Sequence, residues 1–251
     1  MPTSDPKTRL RLDDALVEAG LAPNRSRARD MVLRGTVTVD GIIAGRPGRK
    51  IATDARLQAS DPAVGYVSRA ALKLIAGLDA FGFDPAGLTV LDVGASTGGF
   101  TQVLLERGAA HVIALDVGHG QMAPDLAGDE RLTLLEGVNA RHLTRDHLAG
   151  RTVQGIACDV SFISLKLALP RALGLAEPGA WGVFLVKPQF EAGLSAIGKR
   201  GLVPPQKGEE SAKALAAWLS RQVGWSLTGR IASPVRGGTG NREYLLGARH
   251  D

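Results

Sequence analysis

The spacing of apolar residues predicts a small folded unit near the start of the chain. In residues 11–35, apolar positions recur every three or four residues, which predicts two amphipathic helices, the second capped by Ser26 and closed by Gly35. The following segment, TVTVDGIIA, alternates like a strand, and its Asp40-Gly41 pair indicates a hairpin turn. We therefore predict a small α+β unit here.

From about Tyr66 onward, the pattern changes to short apolar runs that alternate with helical segments. The strand candidates are LTVLDVG, HVIALDVG, GIACDV and WGVFLVKP. Alternation of this kind predicts an α/β fold with a parallel, doubly wound sheet, and WSLTGRIASP with REYLLGAR predicts an antiparallel pair at its end. The polar stretch ATDARLQASDPAVGY is interpreted as a connection. We place domains at residues 1–60 and 67–251, joined by a linker at 61–66.

The composition is that of an ordinary globular protein. The 251 residues are 44% hydrophobic and 22% charged, and no window approaches the roughly 20 apolar residues of a membrane-spanning helix. The first residues, MPTSDPKTRL, lack the apolar core of a secretory signal. We therefore expect a cytoplasmic protein with no membrane partner. The single cysteine, Cys158, excludes an intramolecular disulfide and is expected in the core.

The basic charge is concentrated in the first 60 residues. They hold eleven Lys/Arg and seven Asp/Glu, a net charge of +4, which leaves nineteen against eighteen, a net of +1, for the rest of the +5 chain. This excess is compatible with a polyanionic partner. The candidate phosphate contacts are arginines at the start of the first helix, in the second helix and in the segment that leads to it. They are Arg11, Arg25, Arg27, Arg29 and Arg34. Taken alone, the charge run favours a solvated helix face over phosphate binding.

The order of motifs in the front segment carries a family resemblance. Residues 9–60 contain a leading RLD, then SRARDMV, then GTVTVDG. In this order they resemble the S4-type RNA-binding domain that a ribosomal protein shares with many RNA-modifying enzymes. The resemblance implies that this unit binds structured RNA.

A glycine-rich run follows the first strand of the larger part and opens a helix, where doubly wound folds bind nucleotide-like ligands. The run does not fit the dinucleotide pattern G-x-G-x-x-G, because Ser96 takes the place of the second glycine, and the chain has no P-loop sequence. Instead, D-x-G-x-x-x-G-G-F resembles the cofactor loop of class I methyltransferases, which implies S-adenosylmethionine as the cofactor. The candidate binding residues in this run are Asp92, Gly94, Ser96, Gly98, Gly99 and Phe100.

Three further residues are candidates for the cofactor site. Asp116 ends the next strand, 24 residues after Asp92, which suits a carboxylate that accepts hydrogen bonds from ribose hydroxyls. Val138 and Asn139 follow LTLLEG, where an adenine ring would lie. The alternatives are a turn aspartate and an ordinary loop asparagine.

Charged residues at strand ends predict a reaction centre. Asp159 closes GIACD and Lys187 closes WGVFLVK, so both should reach the carboxyl edge of the sheet, where an antiparallel strand beginning at Glu243 would meet them. Charged groups beside such apolar strands are unfavourable unless they are paired or functional. Lys73, by contrast, projects away from the apolar stripe of its helix, and periodicity alone predicts that it is solvated.

Six motifs together resemble the TlyA, or hemolysin A, family within the FtsJ-like RNA 2′-O-methyltransferases. They are YVSRAALKL, LDVGASTGGFT, ALDVGHGQ, CDVSFISL, LVKPQFEAG and GNREYLL. The resemblance implies a Lys-Asp-Lys-Glu catalytic tetrad at Lys73, Asp159, Lys187 and Glu243. It further implies methylation of ribose 2′-hydroxyls, with cytidines of ribosomal RNA as the substrate class and ribosomal RNA or ribosomal subunits as partners.

The implied mechanism needs no metal, and we expect the chain to act as a monomer. Lys187, in its neutral form, would help to remove the hydroxyl proton, with Lys73 nearby and with Asp159 and Glu243 orienting the ammonium groups. The chain departs from the family pattern at Ala70-Ala71 and at Pro204-Pro205. Two alternatives remain: a ribosome-associated binding or assembly factor without methyl transfer and, remotely, a pore-forming hemolysin.

Overall fold

A computed structural model describes residues 9–193 and 196–251, and the chain divides into two compact units. The front unit is Met1–Val64 and the rear unit is Gly65–Asp251. The division falls inside the segment that we interpreted as the linker. Within the described residues, no helix has both the length and the apolar character needed to cross a membrane.

The front unit packs two helices against short strands. Its helices are α1 (Leu12–Glu18) and α2 (Arg25–Leu33), and its strands are β1 (Arg9–Arg11), β2 (Val37–Val39), β3 (Ile42–Ile43), β4 (Lys50–Ala52) and β5 (Leu57–Ala59). Strand β1 pairs with β4, while β2 lies between β3 and β5, all antiparallel. The apolar faces of both helices close over β2, with Leu12, Leu16 and Met31 buried.

Local details of the front unit confirm one prediction and correct two. Asp40 and Gly41 have φ of 52° and 80°, as the predicted hairpin turn requires. Helix α2 is capped by Asn24, whose side chain accepts the Arg27 N–H at 2.9 Å, because the extended backbone of Asn24 suits a cap. The prediction of Ser26 was therefore wrong. The stretch interpreted as a connection contains β5, a strand too short to show a pattern.

The rear unit is a seven-stranded sheet covered by helices on both faces. Its strands are β6 (Thr89–Val93), β7 (His111–Asp116), β8 (Leu132–Glu136), β9 (Val153–Cys158), β10 (Ala176–Val186), β11 (Trp225–Ala232) and β12 (Tyr244–His250). Its helices are α3 (Ala70–Phe81), α4 (Gly99–Glu106), α5 (Pro124–Ala127), α6 (Leu165–Ala168), α7 (Pro170–Leu175), α8 (Pro188–Glu191) and α9 (Pro205–Leu219). Short 3₁₀ turns occur at Ala140–His142, Arg145–Leu148 and Lys199–Gly201.

The strand order is β11-β12-β10-β9-β6-β7-β8, parallel from β10 to β8, and β12 runs antiparallel to both of its neighbours. The predicted doubly wound sheet and antiparallel tail are confirmed. Alternate strand residues bury on opposite faces: Leu91 joins the core beneath α6, α7 and α9, and Val90 joins the core beneath α3 and α4. The order reverses between β6 and β9, which places a crevice at their carboxyl ends.

Candidate active site

A cavity of about 1020 Å³ opens at this crevice. Five of the predicted cofactor residues line it, together with Asp159 of the predicted tetrad: Gly94, Ser96, Asp116, Val138 and Asn139. The loop between β6 and α4 forms one wall, with Gly94 at φ 87° and Ser96 at φ 47°. The residues present fit an elongated ligand that carries a ribose and an amino acid group, because the walls combine backbone, a carboxylate and apolar side chains.

The remaining cofactor-loop residues support this wall from behind. Asp92, Gly98, Gly99 and Phe100 are not among the described lining residues. Phe100 is buried in the core beneath α4. At Gly99 an added Cβ would meet Ser68 Oγ, so this glycine lets the loop pack against the start of α3. The loop is thus held tightly by the rest of the unit, which preorganises the cavity.

Asp92 is completely buried under the loop. Its Oδ2 accepts a hydrogen bond from Thr101 Oγ1 at 2.6 Å, while its Oδ1 is buried without a hydrogen-bond partner. Burial raises the pKa of Asp92 to about 7, and the negative charges of Asp159 and Asp116 act in the same direction. The surroundings of Asp92 thus favour the uncharged form of the acid.

Asp116 organises two loops at the cavity wall. Its Oδ2 accepts the Ser96 N–H at 2.9 Å and its Oδ1 accepts the Gly118 N–H at 2.8 Å. Each carboxylate oxygen can accept a second hydrogen bond. Next to it, Val117 is an exposed apolar side chain that also lines the cavity, a residue that our sequence analysis missed.

Asn139 caps the 3₁₀ turn at Ala140–His142. Its Oδ1 accepts the Arg141 backbone N–H at 3.0 Å and also lies 3.3 Å from Arg141 Nε. Its Nδ2 amide is the group left to meet a ligand.

The four predicted tetrad residues form two ion pairs. Lys187 Nζ lies 2.6 Å from Asp159 Oδ1, and Lys73 Nζ lies 2.6 Å from Glu243 Oε2. The two pairs are neighbours, because Lys187 directly follows Val186 and Glu243 directly precedes Tyr244, which are register partners in β10 and β12. The tetrad is therefore assembled at one edge of the sheet from four separate segments.

The Lys187 pair borders the cavity. Asp159 lines the cavity, and its backbone N–H donates to Val93 O at 3.0 Å, which ties the end of β9 to the end of β6. Lys187 Nζ also donates to Ser161 Oγ at 2.7 Å. The side chains of Lys187 and Asp159 are 11% and 14% exposed, so a substrate can reach them.

The Lys73 pair is buried, and the prediction of a solvated Lys73 was wrong. The side chains of Lys73 and Glu243 are 8% and 2% exposed. Gly77, one helical turn after Lys73, explains the burial, since a Cβ there would lie 2.7 Å from a methyl group of Val183. The glycine lets this side of α3 approach β10 and β12 closely. Glycine does not count as an apolar position, so the spacing of apolar residues did not predict that this side of α3 contacts the sheet.

Phe162 is a further residue that our sequence analysis missed. Its side chain is 91% exposed at the cavity mouth, and its φ of 66° is rare for a residue with a large side chain. Its ring lies 5.3 Å from the ring of Phe190. The loop is anchored by Glu191, which accepts hydrogen bonds from Ser164 Oγ at 2.6 Å and Leu165 N at 2.8 Å. Burial raises the pKa of Glu191.

The predicted RNA-binding arginines of the front unit differ in their surroundings. Arg11 and Arg25 pair with the buried Asp13, at 2.9 and 3.3 Å. Arg34 is held between Asp30 and Asp61, with its guanidinium donating to both oxygens of Asp61.

Arg27 and Arg29 differ from those three. Arg27 donates to Ala63 O, and Arg29 is exposed. Three of the five arginines thus form ion pairs within the unit, Arg27 is half-buried and bonded to the backbone, and Arg29 is exposed. Among the described residues, His, Cys, Asp and Glu form no group of three that could hold a metal ion.

Comparisons with known proteins agree with this geometry. Residues 66–250 match the profile of the FtsJ-like methyltransferases and residues 10–57 match that of the S4 domain. The chain is 45% identical to the 16S/23S rRNA (cytidine-2′-O)-methyltransferase TlyA of Mycobacterium tuberculosis, over 96% of this chain and 90% of the relative. It is 35% identical to Hemolysin A of Brachyspira hyodysenteriae, over 94% of this chain and 98% of that protein.

Solved structures show the same fold. The structure of a hemolysin candidate from Streptococcus thermophilus matches with a TM-score of 0.75 and 35% identity, over 97% of this chain and 89% of the other. An S-adenosylmethionine-dependent methyltransferase from Mesorhizobium loti matches with a TM-score of 0.51 and 17% identity, over 71% of this chain and 97% of the other. At that identity, the second match shows the fold alone.

Proposed function

Because the chain belongs to the FtsJ-like methyltransferase family, we propose that it transfers the methyl group of S-adenosylmethionine to a ribose 2′-hydroxyl of ribosomal RNA, with cytidine as the nucleotide. The front unit matches the S4 domain and would bind the RNA. The observation that carries the proposal is the pair of adjoining Lys-carboxylate contacts at the sheet edge, one of which borders the cavity.

The cavity supports the assignment of the cofactor. Asp116 offers acceptors for ribose hydroxyls, and Val117, Val138 and Asn139 offer an apolar and a polar surface for a purine. When bound, S-adenosylmethionine supplies an electrophilic methyl group on a sulfonium centre. The protein's task is then to position the hydroxyl in line with that methyl group and to remove its proton.

Lys187 is the proposed base. It lies at the end of a buried strand beside the cavity, and Asp159 fixes its ammonium group at 2.6 Å. Once it has released its own proton, Lys187 accepts the proton of the ribose hydroxyl at Nζ. Lys73 and Glu243 form the adjoining ion pair, and their charges keep the residues of the reaction centre in this arrangement. All four residues come from this chain, and we propose that it acts as a monomer.

Phe162 would hold the target nucleotide. Its exposed ring stands at the cavity mouth, on the same loop as Asp159 and Ser161. Aromatic faces of this kind stack on bases that have left a helix. A stacked base would bring its own ribose to the Lys187 side of the cavity.

Methyl transfer to unmodified RNA tests the proposal. We would incubate the full chain with labelled S-adenosylmethionine and 16S or 23S ribosomal RNA transcribed in vitro, then map 2′-O-methyl marks by primer extension. Label at a ribose 2′-oxygen, absent with Lys187→Ala, is the expected result. RNA binding without label, also in assembled subunits, would instead identify an assembly factor. Since the substrate is ribosomal RNA, we place the activity in the cytoplasm.

Cofactor choice has its own measurement. A ligand that binds only the folded state raises the melting temperature, so S-adenosylmethionine should raise it and NAD should not. A shift with NAD alone would overturn the cofactor assignment.

A further inference from the structure

Two loops of the rear unit pack together beside the tetrad and carry an unbalanced positive charge. They are residues 196–204 and 234–242, which we call the basic loop pair. Neither segment contains Asp or Glu. Arg200 in the first and Arg236 and Arg242 in the second are exposed. Charge without a compensating partner attracts a polyanion.

Asn241 holds the two loops together. Its side chain is buried and makes hydrogen bonds in both directions: Oδ1 accepts the Val203 N–H at 2.9 Å and Nδ2 donates to Gly201 O at 2.8 Å. A further bond from Nδ2 to Thr239 Oγ1, at 3.1 Å, fixes the second loop internally. A buried amide that is satisfied in this way specifies one arrangement of both loops.

The backbone turns the arginines outward. In the first loop, Gly198 N donates to Leu202 O at 2.8 Å, which closes a tight turn with Arg200 in the left-handed region at φ 63°. In the second loop, Arg236 Nη1 donates to Gly240 O at 3.1 Å, and this leaves its other N–H groups for a ligand. The guanidinium groups are thus presented by a rigid support.

The basic loop pair adjoins the reaction centre. Gly237 lies directly against the carboxylate of Glu243, where an added Cβ would meet Oε1, and Asn241 precedes Glu243 by two residues. Glu243 is buried and already paired with Lys73, so it does not neutralise the exposed arginines. The basic loop pair therefore lies next to Glu243 of the tetrad while its arginines stay exposed.

We propose that the basic loop pair is a second RNA-binding surface, which grips backbone phosphates of the target strand next to the nucleotide that is methylated. This inference rests on the proposed function and adds a contact within the rear unit. Arginine suits it because its planar group binds phosphate oxygens through two hydrogen bonds. The surface reads phosphate rather than sequence, so it would position the strand without selecting a base.

The test compares two double variants that remove the same charge. Arg200→Ala/Arg236→Ala alters the basic loop pair. Arg151→Ala/Arg221→Ala removes two exposed arginines that precede β9 and β11 and hence lie at the opposite edge of the sheet. Binding of each full-length variant to transcribed 23S and 16S ribosomal RNA and to assembled ribosomal subunits is measured over a series of salt concentrations. The melting-temperature shift with S-adenosylmethionine, unchanged in both, shows that the fold and cavity are intact.

The loop variant should bind about tenfold more weakly, and the slope of log Kd against log salt should fall by about 1.4 to 1.8, the contribution of roughly two phosphate contacts. The edge variant should match the wild type. Equal affinity and equal slope for loop variant and wild type would overturn the proposal, as would a loss confined to assembled subunits, which would indicate a protein partner. A wild type that binds but never methylates contradicts the proposed function instead.

Discussion

The two units place their charged pairs in different environments. In the front unit, Arg11 and Arg25 reach Asp13 from the surface, with much of each guanidinium in water. In the rear unit, Lys73 and Glu243 are both buried, and Lys187 and Asp159 are nearly so. Water screens the exposed ion pairs of the front unit and weakens them. In the rear unit, the loss of one partner would leave the other charge unpaired in the interior, which is strongly unfavourable.

The difference shows that net charge and available charge are separate quantities. The front unit has the larger positive excess, yet much of it is engaged in ion pairs that support the fold. The rear unit is close to neutral in sum, yet it gathers exposed arginines on the basic loop pair. Where a polyanion binds therefore depends on which cations lack a carboxylate neighbour.

The largest effect should come from Lys187. Lys187→Ala should lower single-turnover methyl transfer by about 10² to 10⁴, the usual contribution of a positioned base, while cofactor and RNA affinity stay close to wild type. Lys187→Arg should be nearly as inactive, because arginine keeps its proton near neutral pH. An active arginine variant would make Lys187 an electrostatic group and move the base elsewhere.

Next in size is the loss of one partner of the buried pair. Lys73→Met leaves Glu243 charged and unpaired in the interior, so the rear unit should lose about 3 to 5 kcal/mol of stability in chemical denaturation. Arg25→Ala, at an exposed pair of the front unit, should change stability by less than about 1 kcal/mol. Equal losses of stability in the two variants would contradict the distinction between buried and exposed ion pairs.

Asp92 should make stability depend on pH. Its pKa is raised to about 7 in the folded state, so the folded protein binds a proton more tightly than the unfolded chain, and stability falls as pH rises from about 4 to about 7. The loss is about 4 kcal/mol at most, from the cost of about 1.4 kcal/mol per pKa unit.

Asp92→Asn is the matched control for that dependence, because it keeps the shape of the side chain and cannot ionise. Urea unfolding at several pH values should give a shallower pH profile for this variant. An unchanged profile would show that another group is responsible.

The smallest effects are expected for two arginines, one in helix α2 and one directly after it. Arg34→Ala removes the guanidinium from Asp61, whose pKa is lowered by hydrogen bonds from Arg34 and Ala63 although burial opposes ionisation. The front unit should lose about 2 kcal/mol, with the melting curve as the readout. Arg29→Ala should leave that curve unchanged and weaken RNA binding only about two- to fivefold, as expected for one phosphate contact. The reverse pattern would contradict our division of these arginines.

Strand ends were the most predictable part of the site. Asp159 and Lys187 could be placed from the sequence because parallel strands bring their carboxyl ends to one edge. Lys73 could not, since its position depends on Gly77 and on a strand far along the chain. β8 was missed as a strand, although its apolar run was noted, and the exposure of Phe162 has no sequence pattern at all. The roles of these residues stay predictions until they are tested.

The Lys73–Glu243 pair also affects the order in which parts of the rear unit can form during synthesis. The two residues are 170 positions apart, and β12, the strand that follows Glu243, lies between β10 and β11. During synthesis the segments that line the cofactor cavity emerge first, and the reaction centre is completed only when a late strand enters the sheet. Contacts of such long range form slowly. The reaction centre is therefore one of the last parts of the rear unit that can form during synthesis.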